Sequence, residues 1–358
     1  MLIKNSFTTN MTNGFATTIL KWFAANGREL PWRDTRDPYA IWLSEIILQQ
    51  TRIQQGQAYW ERFMRRWPTV GDLARATEDE VLREWQGLGY YSRARNLHKA
   101  ARQIAEAGQF PQTLEGIRQL KGVGDYTAAA IGSFAFGLPA AVVDGNVYRV
   151  LARYFGIGTP INTTEGKKTF TALAQELLPQ NEAAAYNQGM MDFGALQCTP
   201  QSPKCATCPL AETCSALREG RTGELPVKLR KLTVKTRHLR YFYLRCNGET
   251  AIRRRPAGDI WQGLWEPFLT EDEGMPDWVD DNCRLTLIAE GVKHVLTHRI
   301  LMADCYLAEV SSKPQLPDDY IWVGESNLQQ YAIPRLVEIL FEKVGQACPE
   351  PAKESEKD

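Results

Sequence analysis

Apolar residues recur at every third or fourth position through about the first two hundred residues. The period is clear in FATTILKWFAA, YAIWLSEIILQQT, DEVLREWQ, RARNLHKAARQIAEA and TAAAIGSFAFG. Because this spacing gathers apolar side chains on one face of a helix, these segments predict α-helices. Loops that contain glycine separate them, among them GREL, GLGYYS and KGVGDY.

A different pattern follows the last of four closely spaced cysteines. VKTRHLRYFYLRC, ETAIRRRP, CRLTLIAE, KHVLTHRI and ADCYLAEV are rich in β-branched and aromatic residues, and Gly, Pro and Asp separate them. These segments predict β-strands. PRLVEILFEKVG begins with a proline and has helical spacing, so it predicts a C-terminal helix.

The change of pattern predicts more than one domain, as does the length of 358 residues. We expect a helical domain over residues 1–221, which includes the cysteine segment 198–214, and a basic linker over 222–233. A smaller α+β domain would follow over 234–345. The polar tail 346–358 is predicted to be disordered.

The composition is that of a soluble globular protein, with 44% apolar and 23% charged residues. The N-terminal segment MLIKNSFTTNMTNGF lacks a basic stretch followed by an apolar core, and no apolar run is long enough to span a bilayer. We therefore expect a cytoplasmic protein, associated with the nucleoid if the source is bacterial.

The net charge is zero, with 42 basic and 42 acidic residues, so bulk charge does not indicate nucleic acid as a partner. Seven basic residues and no acidic one nevertheless lie between Leu225 and Glu249. They are Lys228, Arg230, Lys231, Lys235, Arg237, Arg240 and Arg245. Two interpretations of this stripe stay open, a solvated linker and a surface that faces a polyanion.

Four of the eight cysteines lie in CTPQSPKCATCPLAETC, with the spacing C-x6-C-x2-C-x5-C. Without a secretory signal, disulfides are not expected. A zinc site usually shows two CxxC-like pairs, whereas one CxxC between longer gaps suits four thiolates around an iron–sulfur cubane. Zinc and four unliganded thiols remain as alternatives. Three prolines (Pro200, Pro203 and Pro209) favour turns over helix in this loop.

Two carboxyl groups are candidates for acid–base chemistry. Glu45 lies in YAIWLSEIILQQ among apolar helical neighbours, so burial should raise its pKa toward the range of a general acid. The alternative is a surface glutamate on an amphipathic helix. Asp144 in VVDGNVYRVL precedes a predicted helix, which makes an N-cap the simple interpretation. Capping donors would keep Asp144 ionised while Glu45 stays protonated, the combination that cleaves a glycosidic bond.

LKGVGDYTAAA predicts a turn between two helices. Gly122 and Gly124 would let backbone amides approach a phosphate at the N-terminus of a helix that begins near Thr127. Many helix turns carry such glycines for purely structural reasons, so the motif alone is weak.

Together, LPWR, LSEIILQQT, GLGYYSRARNL, GVGDYTAAAI, VVDGNVYRVLAR and the cysteine spacing resemble the adenine DNA glycosylase (MutY) family of the helix-hairpin-helix endonuclease III superfamily. The resemblance is strong over about residues 15–221, and GLWEPF and HVLTHRI extend it more weakly to a MutT-like domain. It implies a multidomain protein, with an all-α helix-hairpin-helix domain that carries an iron–sulfur loop and a smaller α+β MutT-like (Nudix-like) domain.

The resemblance implies a monofunctional DNA glycosylase of base excision repair. Such an enzyme hydrolyses the N-glycosidic bond of adenine mispaired with 8-oxoguanine, or with guanine, in double-stranded DNA. It implies one 4Fe-4S cluster, a monovalent or divalent cation at the hairpin, and a monomer. The rival hypotheses are a bifunctional endonuclease III-like glycosylase for oxidised pyrimidines and a non-catalytic iron–sulfur DNA-binding protein.

The resemblance also assigns catalytic roles. Glu45 would protonate adenine at N7 and then activate water, and Asp144 would face the oxocarbenium ion with Asn146 beside it. Tyr126 occupies the position where bifunctional relatives hold a Schiff-base lysine. Trp32 and Arg33 would line the pocket for the flipped adenine.

Further residues would contact DNA or the cluster. Cys198, Cys205, Cys208 and Cys214 would ligate the cluster, and Lys204 would reach a phosphate. Gln49, Gln50 and Thr51 would touch the opposite base, and Tyr90 would intercalate next to it. Leu296, Thr297 and His298 match a loop that is typically Phe-Ser-His and probes 8-oxoguanine, so two of the three positions depart from the family.

The MutT-like domain is expected to read a base rather than hydrolyse a nucleotide. Hydrolytic relatives carry a glycine followed by a glutamate-rich REUxEE core (U apolar) that binds magnesium, and the sequence contains no such run. His294 and His298 could fall on one face, but a zinc pair there lacks a third ligand nearby.

Overall fold

The computed structural model describes residues 6–229, 234–271 and 274–347, with side chains from residue 14 onward. The chain divides into two compact units. The first consists of Met1–Arg75 and Asn96–Arg230, and the second of Ala76–Arg95 and Lys231–Asp358. The second unit thus includes a segment, Ala76–Arg95, that the sequence pattern assigned to the helical domain.

Thirteen α-helices form within the described ranges. They are α1 (Ser6–Asn26), α2 (Pro38–Ile47), α3 (Ile53–Arg66), α4 (Val70–Arg75), α5 (Glu78–Glu84), α6 (Ser92–Ala107), α7 (Leu114–Arg118), α8 (Asp125–Phe136), α9 (Gly145–Phe155), α10 (Thr164–Leu177), α11 (Ala183–Leu196), α12 (Ser215–Arg218) and α13 (Arg335–Ala347). All but α5, the beginning of α6, and α13 belong to the first unit. The helical periods seen in the sequence are confirmed.

The core of the first unit forms where α1, α9, α10 and α11 meet. Its largest fully buried side chains include Phe15, Ile19, Phe170 and Phe193. A second apolar cluster joins α2 to α8 through Ile41, Ala130 and Phe134. Burial of this apolar surface is the main force that holds the helices together.

Local signals fix where the two helices that carry the candidate carboxyl groups begin. Asp37 caps α2 through the backbone N–H of Tyr39 at 3.0 Å, and Pro38 takes the first helical position. Asp144 caps α9, which ends at Gly156 in a left-handed conformation with φ of 68°. The chain therefore presents Glu45 within one helix and Asp144 at the start of another.

The second unit contains a six-stranded mixed sheet with the order β4-β5-β1-β3-β2-β6. The strands are β1 (Lys235–Arg245), β2 (Glu249–Arg254), β3 (Trp265–Thr270), β4 (Arg284–Val295), β5 (Arg299–Glu309) and β6 (Tyr320–Gly324). β1 and β5 pair in parallel, and the other pairs are antiparallel. Helix α13 packs through Leu336, Val337 and Leu340 into the cluster that covers one face of the sheet.

The structure corrects the strand prediction at three places. CRLTLIAE and the beginning of KHVLTHRI form one strand, β4, because bulges and a left-handed Gly291 with φ of 60° absorb the break. β3 was not predicted, since it contains Pro267. β6 was not predicted either, and it is only five residues long.

Two predicted segments are only partly described. Residues 222–229 of the predicted linker form no helix or strand, and residues 230–233 lie outside the described ranges. Helix α13 continues to Ala347, so the predicted tail begins within a helix, and residues 348–358 lie outside the described residues. Within the described ranges, no helix is long and apolar enough to cross a membrane.

Several arginines of the basic stripe are neutralised within the second unit. Arg237 pairs with Asp259 at 2.7 Å and also with Glu271, while Arg245 pairs with Glu325 at 3.0 Å. These arginines stabilise the sheet, which argues against a free polyanion surface at their positions.

Candidate active site and cysteine loop

Glu45 is buried in α2, with only 7% of the residue exposed. The Tyr126 hydroxyl donates a hydrogen bond to Glu45 Oε2 at 3.1 Å. Burial raises the pKa of Glu45 to about 7, and the charge of Asp144 adds to the rise, whereas the Tyr126 hydrogen bond and Arg33 oppose it. The structure buries Glu45, as its apolar neighbours predicted, and the surface-glutamate alternative is wrong.

Asp144 is both a helix cap and a wall of the cleft that contains Glu45. Its Oδ1 accepts the backbone N–H groups of Asn146 and Val147, each at 2.8 Å, and its Oδ2 accepts the Asn146 side-chain amide at 2.8 Å. Burial raises the pKa of Asp144 above its usual value, while these three donors act in the opposite direction. The predicted N-cap is confirmed.

The two carboxyl groups line one cleft of about 980 Å³, which includes space open to solvent. Seven residues predicted from the sequence lie around this space, namely Glu45, Gln49, Gln50, Thr51, Tyr126, Asp144 and Asn146.

A second, more enclosed chamber also borders Glu45, and its empty volume of about 430 Å³ includes space open to solvent. Trp32 and Arg33 line it together with Ser44, Gln188 and apolar side chains such as Met191. Trp32 is buried and meets Trp60 edge to face, with 5.8 Å between the ring centroids. Glu45 borders both spaces, so a planar group in the chamber would meet the carboxyl at its entrance.

Asp192 in α11 fixes two arginines of this chamber, and it was not predicted from the sequence. Its carboxylate accepts hydrogen bonds from Arg33 Nη1 at 2.8 Å and Nη2 at 2.9 Å, and from the Arg28 backbone N–H at 2.9 Å. Burial would raise the pKa of Asp192, but these arginines lower it to about 2. A lone acidic residue within the apolar helical run YNQGMMDFGAL was the available signal.

The turn after α2 carries the residues predicted to touch the opposite base. Gln50 adopts a left-handed conformation with φ of 58°, which is strained for a residue with a side chain. The Gln49 amide donates to Thr127 Oγ1 at 3.3 Å, and the Thr51 N–H donates to the Leu48 carbonyl at 3.2 Å. Strain of this kind occurs at functional sites, where it orients particular side chains.

Helices α7 and α8 form the predicted hairpin, with α8 beginning at Asp125 rather than near Thr127. Gly122 has a φ of 80°, and a Cβ there would lie 2.6 Å from the Asn96 Cβ. Gly124 precedes α8 and offers no side chain to cap its free N–H groups. The exposed helix N-terminus is therefore available to an anion.

Tyr126, on the first turn of α8, closes the cleft beside Glu45. Burial raises its pKa well above the usual value, and the neighbouring carboxyl groups Glu45 and Asp144 add to this. The wall of the cleft therefore presents a neutral phenol at this position.

The cysteine loop surrounds a separate cavity, whose empty volume of about 330 Å³ includes space open to solvent. Cys198, Cys205, Cys208 and Cys214 all line it, and none of them forms a disulfide. Within the described ranges, no group of three or more His, Cys, Asp or Glu side chains is placed to hold a single metal ion. Four thiols that line one cavity without converging on a single-ion site fit an iron–sulfur cluster better than zinc, and the histidine zinc pair gains no support.

Two buried arginines of α9 hold the cysteine loop, and neither was predicted. Arg149 donates to the Cys198 carbonyl at 2.7 Å and to Asn146 Oδ1 at 2.7 Å. Arg153 donates to Cys198 Sγ at 3.4 Å and to the Thr199 carbonyl at 2.7 Å. Helix α9 thus carries Asp144 at its start and the donors to the loop along its length.

In the second unit, the turn between β4 and β5 carries Leu296, Thr297 and His298. The Tyr90 and Thr297 hydroxyl groups are hydrogen-bonded at 2.5 Å. Tyr90 is 47% exposed and has a φ of 46°, whereas Tyr91 is 6% exposed and packs in the core. The structure therefore presents Tyr90, and not Tyr91, on the surface beside this turn.

Comparison with known proteins shows related sequences for both units. Residues 43–180 match the HhH-GPD superfamily of base excision DNA repair proteins, and residues 240–343 match the NUDIX domain. Residues 198–214 match the iron–sulfur binding domain of endonuclease III. The loop is therefore an iron–sulfur cluster site, as the spacing predicted.

Two curated relatives with the same description illustrate the similarity. An adenine DNA glycosylase of Buchnera aphidicola (subspecies Acyrthosiphon pisum) is 30% identical over 92% of this chain and 97% of its own length. The adenine DNA glycosylase of Mus musculus is 42% identical over 59% of this chain. The matched region spans only 43% of the mouse protein, so this chain covers less than half of that relative.

A solved structure of a thermostable thymine-DNA glycosylase is 34% identical and superimposes with a TM-score of 0.56, covering 59% of this chain and 99% of that one. This match and the three matched domains agree with the helical fold, the cysteine loop and the mixed sheet described above. The chain belongs to the adenine DNA glycosylase family, within the HhH-GPD superfamily of base excision DNA repair proteins.

Proposed function

We propose that this protein is a monofunctional glycosylase that removes adenine mispaired with 8-oxoguanine, and less preferentially with guanine, from double-stranded DNA. The observation that carries the proposal is the pairing of Glu45 and Asp144 in one cleft. Burial raises the pKa of Glu45 to about 7, and three donors surround the Asp144 carboxylate. Family membership supports adenine as the base that is removed.

The reaction begins when adenine leaves the base stack and enters the chamber lined by Trp32 and Arg33. An enzyme that acts on a base in duplex DNA must extrude it into such a pocket. Protonated Glu45 then donates its proton to adenine N7. The bond between C1′ and N9 breaks, N9 retains the bonding electron pair, and the sugar becomes an oxocarbenium ion.

Asp144 faces the oxocarbenium ion and stabilises it as an ionised carboxylate. The Asn146 and Val147 donors favour the charged form, and Arg149 orients Asn146 through its side-chain oxygen. Glu45, now ionised, accepts a proton from a water molecule whose oxygen bonds to C1′. The products are free adenine and an abasic site, and Glu45 regains its proton.

Tyr126 makes this enzyme monofunctional. A phenol has no amine to form a Schiff base with the sugar, so the strand is not cut through that intermediate. Borohydride treatment during turnover should trap no covalent protein–DNA complex. Efficient trapping together with strand cleavage would favour the bifunctional alternative instead.

The hairpin, the turn after α2 and Tyr90 are the proposed DNA contacts. Backbone N–H groups at the start of α8 would bind a phosphate, assisted by Lys204 of the cysteine loop. Tyr90 would enter the base stack as an apolar wedge, which an exposed aromatic side chain on a strained loop can do. Gln49, Gln50 and Thr51 would then contact the base opposite the adenine. Binding of a cation at the hairpin remains a prediction.

Leu296, Thr297 and His298 are proposed to distinguish 8-oxoguanine from guanine. Thr297 keeps the hydroxyl group of the serine that is typical of the family, and Leu296 keeps an apolar contact. The NUDIX domain would therefore read the opposite base, in line with the missing glutamate-rich box. We propose that the protein acts on DNA as a monomer.

The iron–sulfur cluster, when bound to the four cysteines, supplies a structural centre for residues 198–214. Hydrolysis of an N-glycosidic bond transfers no electrons between protein and substrate, so the acid–base groups carry out the chemistry. Arg149 and Arg153 hold the backbone of the loop in place from α9.

The decisive experiment incubates the purified protein with a labelled duplex that contains one adenine opposite 8-oxoguanine, followed by alkali. We expect cleavage at the adenine, slower release from an adenine–guanine duplex, and none from an adenine–thymine duplex. An oxidised-pyrimidine duplex tests the rival enzyme. No cleavage of any adenine mispair by protein that shows the absorbance of its cluster would overturn the proposal.

A further inference from the structure

Two positive charges lie at the wall of the chamber next to Glu45. Arg28 and Arg33 both line it, and Arg33 belongs to the short helix Pro31–Arg33 that precedes α2. A cation near a carboxyl group favours its ionised form, which is the wrong form for a proton donor. A negatively charged group must therefore offset the two guanidinium charges if Glu45 is to stay protonated.

The Asp192 carboxylate does this from the other side of the two guanidinium groups. Its side chain has no exposed surface, and Oδ1 accepts Arg28 Nε at 3.0 Å and Arg33 Nη2 at 2.9 Å. Oδ2 accepts Arg33 Nη1 at 2.8 Å and the Arg28 backbone N–H at 2.9 Å. Both oxygens therefore hold both arginines, in the two-pronged arrangement that fixes a guanidinium most firmly.

The other elements around Glu45 contribute few charges. Helix α8 presents the neutral Tyr126, the start of α9 presents Asp144, and α11 presents the uncharged Gln188 and Met191. Among the described residues, Arg28 and Arg33 are thus the cations that share the chamber wall with Glu45, and Asp192 is their shared counter-ion.

We propose that Asp192 is a positioning residue that fixes Arg28 and Arg33 at the wall of the adenine chamber and offsets their charge, so that Glu45 keeps the proton it delivers to adenine. The inference rests on the proposed role of Glu45 as general acid. Asp192 touches neither the substrate nor the reacting atoms, and it acts through the two arginines and through Glu45.

The geometry predicts opposite effects for two substitutions. Asp192→Asn keeps the shape but removes the negative charge, so Glu45 loses its proton at lower pH. Because excision requires protonated Glu45, the alkaline decline of the rate should move down by about one pH unit. Arg28→Gln removes a cation and leaves Asp192 in place, so Glu45 keeps its proton to higher pH. The alkaline decline of the excision rate should therefore move to higher pH.

The test measures single-turnover excision from a saturating adenine–8-oxoguanine duplex between about pH 5 and about pH 9. Wild type, Asp192→Asn, Arg28→Gln and the double variant are compared, and the double variant should return the decline close to its wild-type position. Asp72→Asn is the matched control, because it removes a partly exposed carboxylate of the same unit that pairs with Arg75. Its profile should coincide with wild type.

The position of the decline, rather than the absolute rate, decides the outcome, since a merely structural role would lower the rate without moving the profile. An unmoved decline in both single variants would overturn the inference. If Asp192→Asn does not fold, Arg28→Gln still tests the inference, because the Arg28 side chain is partly exposed. In that variant, an alkaline decline of the excision rate that stays at the wild-type pH or moves to lower pH would refute the inference. Wild-type protein that releases no adenine would instead refute the proposed function.

Discussion

At the scale of single residues, Glu45 is placed where a carboxyl group ionises with difficulty. Helix α2 is buried along nearly its whole length, and a glutamine could make the same hydrogen bond to Tyr126 without any ionisation. A residue that destabilises its surroundings in this way is typical of a catalytic position. Two predictions follow from its burial.

Glu45→Gln should abolish adenine excision and leave DNA binding intact. The amide has no proton to donate at N7 and cannot activate water, so single-turnover excision should fall by about 10²-fold or more. Binding to an adenine–8-oxoguanine duplex in a gel-shift assay should stay near the wild-type affinity. Near-normal excision would remove Glu45 from the mechanism.

The same substitution should stabilise the protein above neutral pH. Burial raises the pKa of Glu45 to about 7 in the folded state. The ionised carboxyl, which predominates above that pH, therefore destabilises the fold. Its unfavourable contribution grows as pH rises from about 4.5 to about 7, reaching up to about 3 kcal/mol, and Glu45→Gln removes it. Thermal melts at pH 5 and pH 8 should therefore differ more for wild type than for the variant. Equal pH dependence would contradict the raised pKa.

The Tyr90 and Thr297 hydroxyl groups share a hydrogen bond. Tyr90→Phe keeps the aromatic ring but loses this bond, so excision should persist while the preference for 8-oxoguanine over guanine falls by about 2- to 10-fold. Competition between the two mispairs measures the ratio. Tyr91→Phe is the control, since that ring is buried and its hydroxyl accepts the Gly87 N–H at 3.3 Å. Equal loss of preference in both would assign the effect to packing.

At the scale of elements, the hairpin between α7 and α8 joins a strained turn to an uncapped helix N-terminus. Gly122 is needed for the fold, because its left-handed backbone and the adjacent Asn96 exclude a side chain. Gly124 has an extended backbone and open space around it. Gly122 is therefore required for the fold of the turn, whereas Gly124 leaves the N-terminus of α8 open, and substitutions can separate these two roles.

Gly122→Ala should destabilise the protein by about 1 kcal/mol or more, as seen in urea unfolding. Gly124→Ala should leave stability within about 0.5 kcal/mol, but its methyl group would keep a phosphate away from the helix N-terminus and weaken binding to any duplex. DNA affinity measured on matched and mismatched duplexes checks this. Unchanged affinity in Gly124→Ala would show that the hairpin does not bind a phosphate.

At the scale of the whole molecule, α9 joins the cysteine loop to Asp144. Arg149 contacts both Asn146 and Cys198, and Arg153 contacts Cys198 and Thr199. The backbone of the loop is therefore ordered by the same helix that presents Asp144.

Removal of the cluster should disorder residues 198–214 and lower DNA affinity before it affects the sheet of the second unit. Cys208→Ser should lose the sulfur-to-iron absorbance and most of the excision activity, while the NUDIX domain keeps its circular dichroism signal. Cys283→Ser is the control, because Cys283 lies outside the loop in the second unit. A cluster-free protein with wild-type affinity and activity would contradict the structural role of the cluster.

The helices, most strands and the cysteine loop were predictable because local spacing specifies them. Glu45 was identifiable from its apolar neighbours, and Asp144 from the helix that follows it. Asp192, Arg149 and Arg153 escaped because their partners are distant in sequence; Asp192 and Arg28, for example, are 164 residues apart. β3 escaped because its proline argues against a strand, and its pairing with β1 and β2 overrides that local preference.

The sequence by itself determined the helices, most of the strands, the change from helices to strands, the cysteine loop and the two carboxyl candidates. Each of these depends on residues close together along the chain. Only the tertiary structure decided that Glu45 and Asp144 share one cleft, that Asp192 holds two arginines beside it, and that Ala76–Arg95 packs with the second unit. Burial and charge at a site depend on segments that folding brings together, and no local pattern specifies them.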